Sequence, residues 1–492
     1  MPLTEEQAAV IAADAPILKV NAVAGSGKTT TLLEFAAARP RSRILYLAYN
    51  RAVADEVRLK AHGRGLSHMT VKTLHGLAYQ YVQGHNYQLE SELNEWRLLE
   101  QYVPSAERQG EDALIYAWLI KDLTNYYLNA AWVKLDDGLL DAYREATAPT
   151  APVRVLLAMC GSELLAVVRS LLSDMRQRRI PALHDFYLKL FQFAKVKLPF
   201  DIILVDEAQD TSGVMLSIIQ RQDHAQRVFV GDGFQQIYAF RHAVNSLERI
   251  DGQSHPLSQT FRFGDKLAQH LAEQVNAAYR ILGEPHRLHM RGTAAETHFK
   301  PRPDLARKRS VAVICRSNLA LFEAALERLE KGAKSMYFEG GYGGYNFMNS
   351  RVVSLLNLKL GKRQKIEDPL IRKLAHFEDV RRFAKDTQNA ALATLVDLVG
   401  RYGTKLYEFD REIKARLVDK PQAAALFATT HKAKGQEYDW VAMGEDGFAT
   451  RKELEKLMDM AEEFNPAKLR EEINVYYVAA TRARKGIRLA PF

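Results

Sequence analysis

Cysteine is nearly missing from this chain of 492 residues, which has only Cys160 and Cys315. That scarcity excludes a disulfide framework, a four-cysteine zinc site and a cysteine-ligated iron–sulfur cluster. It suits a reducing compartment, so a cytoplasmic location is expected, on the nucleoid if the host is prokaryotic. No apolar run approaches the roughly 20 residues that cross a bilayer. The opening "MPLTEEQAAVIAADAPILKV" has no basic segment followed by a long apolar core, so neither a membrane partner nor a secretory signal is expected. Internal repeats and low-complexity tracts are also lacking. What is present is a globular composition, 47% hydrophobic and 26% charged, at a length that one core rarely serves. Acidic residues number 59 against 68 lysines and arginines, a net charge of +9, and this favours a polyanionic partner such as nucleic acid. The basic run "RKRS" (307–310) reads as a solvated loop, with a localisation signal as the alternative.

Seven short β-branched runs recur: "ILKVNA" (17–22), "RILYLAY" (43–49), "DIILVDE" (201–207), "RVFVGD" (227–232), "SVAVICR" (310–316), "AALFATT" (424–430) and "DWVAMGED" (439–446). Each leads through turn residues into a helical pattern, as strands of a parallel sheet covered on both faces do. Residues 85–195 and 359–420 instead carry apolar residues at three- and four-residue spacing. The expected fold is α/β, two lobes each interrupted by a mainly helical insertion.

The chemistry starts at "VNAVAGSGKTTTLLEF" (20–35). In a phosphate loop, backbone N–H groups and a helix N-terminus face the β-phosphate, and glycines let the backbone come close. Gly25, Gly27, Lys28 and Thr29 stand in that order, although Ala22 occupies the place of the usual first glycine. Lys28 is placed to reach the β/γ-phosphates and the Thr29 hydroxyl to bind Mg²⁺. The metal-binding carboxylate that such a loop needs is found in "ILVDEAQD" (203–210). There Asp206 would hold Mg²⁺ through water, and Glu207 would orient and deprotonate the attacking water.

With these motifs the chain resembles the UvrD-like superfamily 1 helicases, whose loop reads A-x-x-G-x-G-K-T, so Ala22 fits. The resemblance runs in order over nearly the whole chain. It implies a P-loop NTPase fold of two RecA-like lobes: 1–84 and 196–250 for the first with its insertion at 85–195, 251–358 and 421–492 for the second with its insertion at 359–420. It places ATP against Gln7 of "LTEEQ", Ala22, Gly25, Ser26, Gly27, Lys28, Thr29, Thr30, Phe261 of "LSQTFRF" and Glu437 of "TTHKAKGQEYD". Gln235 of "VGDGFQQIYAFRHAVN", Arg262 and Arg482 of "YYVAATRARKG" join Lys28 and Glu207 as catalytic residues. Arginine fingers of this kind are worth about 10³–10⁵ in rate. Single-stranded DNA is assigned to Tyr49 and Asn50 of "LAYNRAVADEV", Thr73 and His75 of "VKTLHGLAY", then Tyr238, Phe240, Arg241, Thr430 and His431.

Within that group, "LHDFYLKLFQFAK" (183–195) and "VFVGDGFQQIYAFRHAVNSL" are similar to the helicase core of the F-box DNA helicases and their prokaryotic relatives. No F-box is expected ahead of the adenine motif. His242 stands where the group has glycine. Phe492 follows Arg482 closely, so strand separation is expected either to rest on an element other than a hairpin after the last motif or to be weak compared with translocation. The implied activity is ATP-driven 3′-to-5′ movement on single-stranded DNA with unwinding of tailed or forked duplex, in repair or recombination. A protein partner such as a nuclease or recombination factor is expected. The alternative is a DNA-sensing ATPase subunit of an anti-phage complex acting with a nuclease. An inactive nucleic-acid binder, or an RNA substrate, ranks below both.

Overall fold

The computed structural model describes residues 2–104, 110–238, 243–285, 287–305, 308, 310–445, 447–459 and 466–492. Two parallel sheets organise it. The first has six strands in the order Gln253–Leu257, Ile17–Ala22, Gln226–Gly231, Ile202–Val205, Ile44–Leu47 and Met69–Lys72. The second has five, in the order Met336–Phe338, Ala425–Thr429, Val311–Cys315, Tyr438–Met443 and Ala483–Arg488. All seven expected strands form. Their continuous apolar character follows from burial on both faces. Leu18, Val20, Ile44, Ile202 and Val228 pack against Val10, Leu32 and Phe35 on one side, while Leu45, Ile203, Val205 and Phe229 pack against Leu188, Phe191 and Ile218 on the other.

The expected division between residues 250 and 251 falls too early. Gln253–Leu257 pairs in parallel with Ile17–Ala22, from Leu18↔Gln253 to Ala22↔Leu257, and so completes the first sheet. It is an edge strand with Pro256, and edges tolerate both proline and polar residues, which is why its hydropathy did not announce it. The strand Gln259–Gly264 starts after a single residue, Ser258, and the chain then passes to the second sheet. Ser258 is anchored there: its N–H and hydroxyl both donate to Glu6, at 2.7 and 2.6 Å.

The first insertion is helical, as expected, with helices Gly110–Asn129, Asp137–Thr147 and Ala151–Arg176 among its members. Its base is closed by a two-residue parallel pair, Leu89–Glu90 with Ala182–Leu183. Ala151–Arg176 has the length and mean hydropathy (1.9) of a membrane span, although Arg154, Glu163 and Arg169 interrupt its apolar sequence. Here it lies along the insertion core, burying Val153, Leu157, Leu164, Val168, Leu171 and Met175 at helical spacing. Helices Phe377–Asp386, Ala390–Tyr402 and Leu406–Lys414 make up most of the second insertion. The two insertions touch: Arg382 pairs with Glu111, and Gln388 Nε2 donates to the Ala148 carbonyl at 3.1 Å.

Leu204 is fully buried at the centre of the first sheet. Leu204→Ala is expected to lower stability by about 2–5 kcal/mol, read as a fall in the first calorimetric unfolding transition. Leu59→Ala, at a site 76% exposed, should shift it by less than about 0.5 kcal/mol.

Candidate nucleotide site and nucleic-acid face

After strand Ile17–Ala22 the chain turns into helix Lys28–Ala37. Gly25 and Gly27 take φ of +76° and +80°, a region glycine enters without steric cost. A Cβ on Gly25 would lie 2.7 Å from Thr260 Oγ1 and 2.9 Å from Arg262 Cβ, so the loop is clasped by the strand Gln259–Gly264. The Phe261 N–H completes the clasp by donating to the Gly25 carbonyl at 2.9 Å. The Phe261 ring and the Gln7 amide both lie over Gly27, and Gln7 Nε2 donates to Thr31 Oγ1 at 3.2 Å. These two side chains therefore share one wall beside the loop. Ala22 is buried and Thr30 exposed. The buried Ser26 hydroxyl has no partner among the described residues.

Lys28 Nζ pairs with Glu207 Oε2 at 2.9 Å. Burial opposes its charge, but Glu207, Asp206 and Asp232 outweigh burial and hold its pKa above the ordinary lysine value. Asp206 accepts from the Tyr46 hydroxyl at 2.6 Å. Burial, and then Glu207, push its pKa up to about 6. Glu207 itself, with φ +52°, overcomes its own burial through Lys28 and Lys434, which hold it at about 2. Thr29 also bonds the Tyr46 hydroxyl, so one buried phenol joins the two expected metal ligands. A hard cation such as Mg²⁺ takes one or two carboxylates together with phosphate oxygens. No three-residue His/Cys/Asp/Glu cage exists among the described residues, and Thr29 with Asp206 fits the shared arrangement.

The second lobe closes on this cluster. Arg262 reaches Glu437 Oε1 at 2.7 Å and the Thr481 carbonyl at 2.9 Å. Arg482 is buried and donates to the Val478 carbonyl (2.7 Å) and Thr481 Oγ1 (2.9 Å). Burial and Arg262 lower its pKa to about 9, and Glu437 and Glu207 act on it in the opposite sense. It is therefore a cation at neutral pH within the field of Glu207. Gln235 donates to Asp232 at 2.8 Å.

Three participants were not foreseen. Lys434 Nζ pairs with Asp210 and donates to the Gln235 carbonyl at 2.7 Å. The Tyr477 hydroxyl donates to Asp232 and accepts from the Ala24 N–H, each at 3.1 Å. Tyr46 is the third. A tyrosine inside the otherwise aliphatic "ILYL" was a usable signal, because a buried phenol needs a partner.

Asp206, Glu207 and Asp210 line the same crevice as Tyr49 and His75, which joins the nucleotide side to the expected DNA side. Tyr49 stacks on Tyr238 with centroids 5.8 Å apart and planes 17° apart. Lys434 Nζ sits 4.9 Å over the Tyr238 ring. Asn50 and Thr73 cap helices by accepting from Val53 N–H and Gly76 N–H. His75 Nε2 is 2.9 Å from Asp185, and a His431 ring nitrogen is 3.0 Å from the Ile237 carbonyl. Thr430 faces inward: it is fully buried, with its hydroxyl 3.4 Å from the Cys315 carbonyl. Phe240, Arg241 and His242 lie outside the described residues.

Burial raises Asp210 from 3.8 to about 6 despite Lys434. Between those values the folded protein keeps a proton that the unfolded chain has released, so this carboxyl contributes less stability as pH rises through the window. Asp206 acts in the same sense, while Glu207 acts oppositely and below pH 4.5. Asp210→Asn should flatten the decline in melting temperature between pH 4.5 and 7, and an unaltered slope would show that Asp210 is not its source.

Residues 5–241 match the AAA domain family, and residues 164–490 match the UvrD-like helicase C-terminal domain. The chain is 27% identical to F-box DNA helicase protein 1 of Schizosaccharomyces pombe, over 99% of this chain and 57% of that protein. It is 27% identical to F-box DNA helicase 1 of Gallus gallus, over 95% of this chain and 47% of that one. The chain thus spans about half the length of these curated relatives. A phosphate loop facing paired acids, arginines supplied from the chain beyond the first sheet, and a family match over residues 164–490 agree: the chain belongs to the UvrD-like helicases.

Proposed function

We propose that the protein is an ATP-hydrolysing motor that grips single-stranded DNA, moves along it 3′ to 5′, and separates tailed or forked duplex, in repair or recombination. Its single strongest support is the meeting of Lys28, Asp206 and Glu207 with Arg262, Arg482 and Lys434 in one cleft, whose crevice continues to Tyr49 and His75. The 3′-to-5′ direction rests on family likeness.

The resting cleft is neutralised internally. Lys28 is held by Glu207 and Arg262 by Glu437. Lys28 and Arg262 exchange these carboxylates for phosphate oxygens when a nucleotide enters. Once Lys28 turns away, Glu207 loses the larger of the two cations holding it at about 2, and its basicity toward a water proton rises. Gln209 Nε2, 2.6 Å from Glu207 Oε2, keeps the carboxylate oriented. Mg²⁺ bound by Thr29 and Asp206 would neutralise charge on the β- and γ-phosphates. Because the arginines and the loop belong to different lobes, turnover requires lobe closure, and release of product permits reopening.

Lys28→Ala should abolish ATPase activity while leaving oligonucleotide binding intact, and wild-type turnover in that variant would refute the site. Arg262→Ala and Arg482→Ala should each lower turnover by about 10³-fold or more. A 3′-tailed duplex should be unwound and a 5′-tailed one should not. DNA-stimulated hydrolysis with no strand separation on either substrate would make a DNA-sensing ATPase the better reading.

A further inference from the structure

Helix His184–Ala194 carries the segment "HDFYLKLFQFA", and neither the nucleotide cleft nor the sheet packing accounts for its polar residues. These fall at Asp185, Lys189 and Gln192, a helical spacing that puts them on one face. All three reach the end of helix Gly110–Asn129 in the first insertion. Lys189, 2% exposed, donates to the carbonyls of Ala130 (2.9 Å) and Trp132. Gln192 Nε2 donates to that of Ala131 at 2.9 Å. Carbonyls past a helix C-terminus lack intrahelical donors, and a cation there is favoured by the helix dipole.

Asp185 does something different. Its Oδ2 accepts from Asn129 Nδ2 at 2.9 Å, at the tip of the insertion helix. Its Oδ1 lies 2.9 Å from His75 Nε2. The Tyr187 ring meets the imidazole edge-on at 6.0 Å. Burial works against the Asp185 charge, but His75, Asn129 and His184 outweigh it and hold the carboxyl below its ordinary value. An ionised carboxylate can only accept, so His75 Nε2 carries the proton, and Nδ1 is the nitrogen left for a ligand.

We propose that Asp185 is a positioning residue that fixes the tautomer and orientation of His75 for its contact with single-stranded DNA, and that through Asn129 it ties this grip to the first helical insertion. The proposal rests on the reading of His75 as a DNA contact. Without Asp185 the ring is free to flip and exchange tautomers, and the insertion loses its polar link to the grip.

The test uses a fluorescent oligo(dT) and the full chain in four variants: Asp185→Ala, Asp185→Asn, His75→Ala and the double alanine variant. Asp185→Ala should raise the dissociation constant, and the DNA concentration giving half-maximal ATPase stimulation, by about tenfold, the scale of one charge-assisted hydrogen bond. Asp185→Asn, which keeps an acceptor, should raise both by less. DNA-free turnover and melting temperature should stay at wild-type values in Asp185→Asn, which a merely structural role would not allow. The double variant should bind no more weakly than His75→Ala alone. Wild-type affinity in Asp185→Ala beside weakened binding in His75→Ala, or losses that multiply in the double variant, would overturn the positioning role alone. Wild-type affinity in His75→Ala would remove the DNA contact and the proposal together. If Asp185→Ala does not fold, the asparagine variant decides, and unchanged half-saturation there would overturn the proposal.

Discussion

Four carboxylates crowd the C-terminal edge of the first sheet: Asp206, Glu207, Asp210 and Asp232. Isolated charges of one sign cannot be buried together at tolerable cost. The protein meets this constraint with Lys28 from the same lobe and Lys434 from the other. Burial is the main reason Asp206 and Asp210 are pushed toward neutrality, with the neighbouring Glu207 charge adding to it, while Glu207 itself, close to both cations, stays ionised. The lobes are therefore held together partly by an electrostatic debt that neither can settle alone. A ligand bringing phosphates and a divalent cation into this cluster would change its charge balance.

The same residues connect the two faces of the cleft. Lys434 touches Asp210 and the Gln235 carbonyl on one side and the Tyr238 ring on the other. Tyr238 stacks on Tyr49, so a change near Glu207 and a change in base stacking share a side chain. The insertions, packed against each other through Arg382–Glu111, extend this assembly outward, and the helix His184–Ala194 joins the first of them to its lobe.

Much of this was legible in the chain itself, for reasons that differ by residue. Strands such as Ile202–Val205 announce themselves because burial on both faces leaves no polar position. Gln253–Leu257 and Ala483–Arg488 are edge strands, whose exposed positions accept polar residues, so apolar continuity fails as a signal. The phosphate loop was legible because its chemistry is local, with glycines, Lys28 and Thr29 within a few residues. Lys434 sat inside a segment recognised for other reasons, yet its partner Asp210 is 224 residues away. Tyr477 likewise finds Asp232 across 245 residues. Pairings of that kind are produced by the packing of two sheets and leave no trace in local pattern. Thr430 shows the converse, a motif position whose side chain the fold turns inward.

The passage from one sheet to the other at Ser258 has a geometric consequence. Among the described residues the strands of the first sheet all precede Ser258 and those of the second all follow it, and Glu6 pins the chain at this crossing. Phe261 and Arg262 follow that anchored residue by three and four positions, and the Phe261 N–H is tied to the Gly25 carbonyl at 2.9 Å. The one backbone link between the sheets is thereby bound to the phosphate loop on one side of the cleft and carries Arg262 on the other.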